Sequence, residues 1–105
     1  MLNVITTTRT LTRKSGETVE FTEWAVGGYT LRKIVEAGYT DWAVTTSARN
    51  LPYVGYKDGE PHRPIFGVTV PSSGELSPLG ALTLAKQITE AAHIAATFNM
   101  IAADN

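Results

Sequence analysis

The sequence predicts an α+β fold, in which an antiparallel β-sheet of four or five strands carries a long C-terminal α-helix packed on one face. All nine glycines and all five prolines lie at or before Gly80, whereas eight of the twelve alanines follow it. Threonines are frequent in the N-terminal part, which is typical of strands. We therefore expect a single α+β domain over residues 1–105, strand-rich over 1–71 and helical over about 78–103.

Length, charge and cysteine content exclude several classes of protein. The 105 residues suit one domain, and the net charge of −1 disfavours a strongly basic nucleic-acid binder. The absence of cysteine excludes disulfides, cysteine-based zinc sites and thiol nucleophiles, and it favours a reducing compartment. The first residues do not resemble a signal peptide, and Lys86 and Glu90 interrupt the longest apolar stretch. We therefore expect a cytoplasmic protein with no membrane partner.

Residues 2–26 predict a β-hairpin. Lys14-Ser15-Gly16 can form a three-residue loop in which Gly16 takes the left-handed conformation. This loop sets a register with one opposite-charge pair, one apolar pair and one cation–aromatic pair on a single face. The three pairs are Arg13 with Glu17, Leu11 with Val19, and Arg9 with Phe21.

Residues 30–37 fit two structures. As a helix, the segment has an N-cap at Thr30, an apolar stripe at i, i+3 and i+4 from Leu31, and a terminating glycine at Gly38. As a strand, it alternates poorly between apolar and polar residues. We favour a short helix over a strand.

Three later segments predict strands, at residues 40–47, 53–56 and 65–70. Asp58-Gly59 is a strong hairpin signal between the last two. Pro71 ends the final strand because proline has no N–H to donate to a neighbouring strand. The predicted core combines apolar residues of strands and helix, namely Leu11, Val19, Phe21, Trp24, Ile34, Trp42, Val44, Phe66, Val68, Leu84, Ile88, Ala95 and Phe98.

The C-terminal helix has the clearest start signals. Ser77 is suited to the N-cap and Pro78 to the first helical position. Placed at 100° per residue, its apolar side chains cover an arc of about 220°, more than one sheet face can bury. We therefore predict a homodimer or larger homo-oligomer that associates through this helix. The candidate interface residues are Leu84, Ile88, Ala91, Ala92, Ala95, Ala96, Phe98 and Ile101.

Motifs for catalysis, metal binding or phosphate binding are absent from the sequence. We expect no catalytic residues, no metal and no cofactor, and hence a non-catalytic interaction or structural module that is not an enzyme. A weaker hypothesis is a small-molecule site near residues 57–66. Its candidate residues are Asp58, Glu60, His62 and Arg63.

Nucleic-acid binding is the main alternative. Basic residues occur in the N-terminal hairpin and in segment 30–37, and tyrosines that face outward could stack on bases. The candidate contacts are Arg9, Arg13, Lys14, Arg32 and Lys33. Glu17, Glu20 and Glu23 in the same hairpin would cancel much of this positive charge.

Overall fold

A computed structural model describes residues 3–46, 53–59, 63–70 and 74–105. The chain has an α+β fold with a four-stranded antiparallel sheet, a two-stranded hairpin and one long C-terminal helix. It divides into two compact units, residues 1–47 and residues 48–105. The elements are β1 (Ile5–Thr12), β2 (Thr18–Val26), β3 (Tyr29–Glu36), β4 (Tyr39–Thr46), β5 (Tyr53–Gly59), β6 (Arg63–Thr69) and α1 (Pro78–Asp104).

The first unit is a meander in which β1, β2, β3 and β4 pair in sequence order. The predicted N-terminal register is confirmed: Leu11 lies opposite Val19 and Arg9 opposite Phe21. The Arg13 N–H donates to the Glu17 carbonyl at 2.8 Å, and Gly16 closes the turn with a φ of +89°. The loop residues thus determine how β1 and β2 align.

The prediction of a short helix at 30–37 is wrong, because Tyr29–Glu36 forms β3. Gly27, with a φ of +59°, turns the chain after β2, and positive φ angles at Ala37 and Gly38 turn it again after β3. Gly38 was expected to end a helix. The same left-handed conformation instead serves a two-residue hairpin turn. Pairing with strands on both sides outweighs the weak local preference for a helix.

One face of this sheet is apolar at the end formed by the β2–β3 turn. Trp24, Val26, Tyr29 and Leu31 are buried there. The Trp24 ring stacks on Trp42 with 6.0 Å between centroids. Leu11, which the sequence placed in the core, is 51% exposed, because all eight residues of the edge strand β1 are exposed.

In the second unit α1 packs on β6 and to a smaller extent on β5. The strands pair with Val54 opposite Val68 and Tyr56 opposite Phe66. The buried residues of α1 all lie in its C-terminal half, and Phe98 meets the ring of Phe66 edge-on with 5.7 Å between centroids. The predicted helix start is confirmed, since the Ser77 side chain accepts a hydrogen bond from the Gly80 N–H at 3.0 Å.

Candidate interaction surface

The two halves of α1 differ in what they bury. From Ala91 onward five residues are buried, namely Ala91, Ile94, Ala95, Phe98 and Ala102. Over residues 78–90 none is buried, and Leu79 and Leu82 are 75% and 69% exposed. A helical turn that exposes two leucines gains little stability from packing within its own unit. The first half of α1 is therefore the most apolar exposed part of the described helix.

Apart from Leu79 and Ala81 near its start, the exposed apolar residues of α1 lie on one side, where the exposed Thr89 is the polar residue among them. At 100° per residue they lie about 140° around the axis from the buried residues, so they face away from the β5–β6 hairpin. We call this side the outer stripe. It consists of Leu82, Ala85, Ala92, Ala96, Met100 and Ala103.

The predicted interface residues divide into three groups in the structure. Ala91, Ala95 and Phe98 are buried, and Leu84, Ile88 and Ile101 are half-buried. Ala92 and Ala96 are exposed and belong to the outer stripe. The sequence analysis did not separate the side that covers the hairpin from the side that remains exposed.

Leu82 and Met100 were missed, although a signal for them exists. The seam positions are spaced by three or four residues, as in a coiled coil, and Thr89 is the one polar residue among them: Leu82, Ala85, Thr89, Ala92, Ala96, Met100 and Ala103. The apolar arc of about 220° predicted from the sequence combines this seam with the buried stripe. The spacing of the seam, taken separately from that of the buried stripe, indicates both Leu82 and Met100.

The side chain of Asn99 attaches α1 to the hairpin at one defined point. Its Oδ1 accepts from the Phe66 N–H at 2.7 Å, and its Nδ2 donates to the Phe66 carbonyl at 3.1 Å. The amide thereby mimics a neighbouring strand at the outer edge of β6. Together with the buried apolar residues, this contact fixes the rotation of α1 about its own axis.

The basic residues proposed for nucleic-acid contact are mostly paired with acidic ones. Glu23 Oε1 lies 3.7 Å from both Arg9 Nη2 and Arg32 Nε. Arg13 forms an ion pair with Glu36. The three arginines therefore present partly neutralised charge.

The remaining basic candidates do not extend this group into one patch. Lys33 lies on the opposite sheet face from Arg32, and its Nζ is 5.6 Å from the centroid of the Trp42 ring. Lys14 is exposed in the β1–β2 turn. The structure brings together Arg9 and Arg32 around Glu23, and it separates Lys33 from them.

The proposed small-molecule loop is largely outside the described residues. Glu60 and His62 fall there, whereas Asp58 lies at the end of β5 and Arg63 at the start of β6. Within the described parts of the chain, His, Asp and Glu form no group of three that could hold a metal ion. The described helix is not long and apolar enough to cross a membrane.

Comparison with known proteins yields no family model, no curated protein and no solved structure that matches this chain.

Proposed function

We propose that this protein is a small non-catalytic interaction module that self-associates through the outer stripe of α1. One observation supports the proposal above all others: Leu82 and Met100 are 69% and 71% exposed on a regular helix, on the side that faces away from the hairpin. Burying one such side chain fully is worth about 1.5–3 kcal/mol. A surface of this kind gains stability when a partner covers it.

The alanines explain why the partner is a helix. Ala85, Ala92, Ala96 and Ala103 have short side chains and allow a second helix axis to approach closely. Leu82 and Met100 lie beside this row of alanines. The combination of a shallow apolar groove and a few large side chains suits packing between two helices.

A second copy of α1 complements this stripe when the two helices run antiparallel. The register that sets Ala92 opposite Ala96 of the second copy also sets Ala85 opposite its Ala103. Lys86 then lies on the same flank as Asp104 of the second copy, at nearly the same height. Opposite charges therefore meet on both sides of the two-fold axis.

Mass measurement of the whole chain tests the proposal. We expect static light scattering at tens of micromolar to give at least twice the chain mass of 11.3 kDa. Ala92→Glu places a carboxylate in the middle of the outer stripe and should lower the mass. Thr83→Glu is the matched control, because Thr83 is exposed on another side of the same helix.

The two variants must be compared in their folded state. Circular dichroism at 222 nm should show unchanged helix content for both, since neither site is buried. An unchanged mass for Ala92→Glu, or an equal loss of mass for Thr83→Glu, would contradict the proposal. A wild-type chain that stays at 11.3 kDa at all concentrations would also contradict it.

A further inference from the structure

Strand β1 is an open edge of the four-stranded sheet. It pairs with β2 on one side, and on the other side no strand pairs with it among the described residues. All eight of its residues are exposed, including Ile5 at 68% and Leu11 at 51%. Strand edges of this length are templates for further strand pairing unless something protects them.

The hairpin turn shows which backbone groups of β1 point outward. The Arg13 N–H donates to the Glu17 carbonyl, so this pair is of the hydrogen-bonded type. Because the type alternates along an antiparallel ladder, the odd-numbered residues of β1 bond to β2. The N–H and C=O groups of the even-numbered residues therefore face the open edge. These residues are Thr6, Thr8, Thr10 and Thr12.

Two other strand edges in the chain are protected by side chains. At the β4 edge, Asp41 Oδ1 accepts from the Trp42 N–H at 3.0 Å. At the β6 edge, the Asn99 amide binds both backbone groups of Phe66. Strand β1 has no proline, and its single charged residue, Arg9, is paired with Glu23 of β2. Among the described residues, no side chain protects the eight-residue edge of β1 in the way found at β4 and β6.

We infer that β1 pairs antiparallel with β1 of a second copy of this chain, across a two-fold axis at Thr8, to give a continuous eight-stranded sheet. In this register Thr8 lies opposite Thr8 of the second copy, and Thr6 lies opposite its Thr10. Ile5 lies opposite Leu11, so the two exposed apolar residues of the strand meet each other.

Hydrogen bonding is complementary in this register. Each outward N–H faces an outward C=O, and the central residues form about six hydrogen bonds, within the usual range for a protein interface. Arg9 lies opposite Thr7 rather than opposite the second Arg9. A shift by two residues that brought the two arginines directly opposite each other would be destabilising.

This inference does not depend on the association of α1. The two surfaces belong to different elements, and each is self-complementary about its own two-fold axis. A chain that associates through both surfaces forms assemblies larger than a dimer. Variants at one surface therefore leave the other intact, which allows the two proposals to be tested separately.

Disulfide trapping tests the pairing, because the chain has no cysteine of its own. In the proposed register the two Cα atoms of residue 8 are about 5.5 Å apart, within the range for a disulfide. We expect Thr8→Cys to cross-link at least about tenfold faster than Thr12→Cys. Thr12 is the matched control on the same sheet face, and its two copies would be about 26 Å apart.

The trapping is repeated in the Ala92→Glu background, so that contact through α1 does not contribute. Retained cross-linking at residue 8 supports the β1 interface whatever happens to the helix variant. Equal rates for Thr8→Cys and Thr12→Cys would overturn the inference, even if Ala92→Glu lowers the mass as proposed for α1.

A second variant blocks the edge without removing a bond to β2. Thr8→Pro deletes an N–H that faces outward, and proline is tolerated at such edge positions. In the Ala92→Glu background we expect it to halve the remaining mass. An unchanged mass in a folded chain would overturn the inference, and if the variant fails to fold, the cross-linking rates decide.

Discussion

At the scale of single residues, Asn99 has the most specific role in the second unit. It is half-buried and makes two hydrogen bonds to the backbone of Phe66, 33 positions away in sequence. Polar groups at a partly buried strand edge are expensive to leave unpaired. This amide therefore adds a directional contact to the apolar packing that holds α1 on β6.

Replacing Asn99 should reveal this contribution. We expect Asn99→Ala to lower the free energy of unfolding by about 1–3 kcal/mol, since it removes two hydrogen bonds to the backbone of Phe66. Urea denaturation followed by circular dichroism measures the change. Asn105→Ala is the control, because Asn105 is exposed at the end of α1, where its Nδ2 donates to the Ile101 carbonyl. Equal effects of the two variants would contradict the role given to Asn99.

Ala37 carries backbone strain that a substitution can relieve. Its φ of +47° lies in the left-handed region, which costs a residue with a Cβ about 1–2 kcal/mol. Asparagine tolerates this region better. Ala37→Asn should therefore raise the melting temperature by a few degrees, whereas Gly38→Ala, at a φ of +84°, should lower it. A calorimetric scan that shows the opposite order would contradict this explanation of the β3–β4 turn.

At the scale of elements, the two halves of α1 are stabilised by different contacts. Its C-terminal half is held by the hairpin, whereas its N-terminal half is held by the Ser77 cap and by its own backbone hydrogen bonds. Isolated helices of about twelve residues are marginally stable in water. The first half therefore has the most stability to gain from the proposed partner helix.

Hydrogen exchange can measure this difference within α1. In dilute solution we expect the amides of residues 82–90 to exchange at least about tenfold faster than those of residues 94–102, because the fully buried residues of α1 all lie from Ala91 onward. Raising the protein concentration should slow the exchange of residues 82–90. Uniform protection along the helix at low concentration would contradict the division.

At the scale of the whole molecule, the proposed self-association would link the stability of the fold to protein concentration. A partner that binds only the folded chain stabilises it by mass action. We expect the melting temperature to rise as the protein concentration is increased from about 1 to 100 micromolar. The rise should shrink in Ala92→Glu and vanish when Thr8→Pro is added. A melting temperature that is independent of concentration in the wild type would argue against both interfaces.

The charge distribution of the molecule argues against nucleic-acid binding as its main role. Arg9, Arg13 and Arg32 pair with glutamates, which reduces the charge available to phosphates. We expect no mobility shift of generic DNA or RNA at 150 mM salt. Glu23→Gln should leave this result unchanged at that salt and produce at most weak binding at 20 mM. A strong mobility shift of DNA or RNA with the wild-type chain would instead support nucleic-acid binding.

The sequence by itself determined the elements whose signals are local. Gly16 and its neighbours specified the β1–β2 register, and Ser77-Pro78 marked the start of α1, because turn and cap chemistry acts over a few residues. Only the tertiary structure decided that residues 29–36 are a strand, since two neighbouring strands supply hydrogen bonds that local propensity cannot anticipate. It also decided which side of α1 faces the hairpin and which strand edges are capped. Those outcomes depend on contacts between residues far apart in sequence, such as Asn99 with Phe66, and no local pattern encodes them.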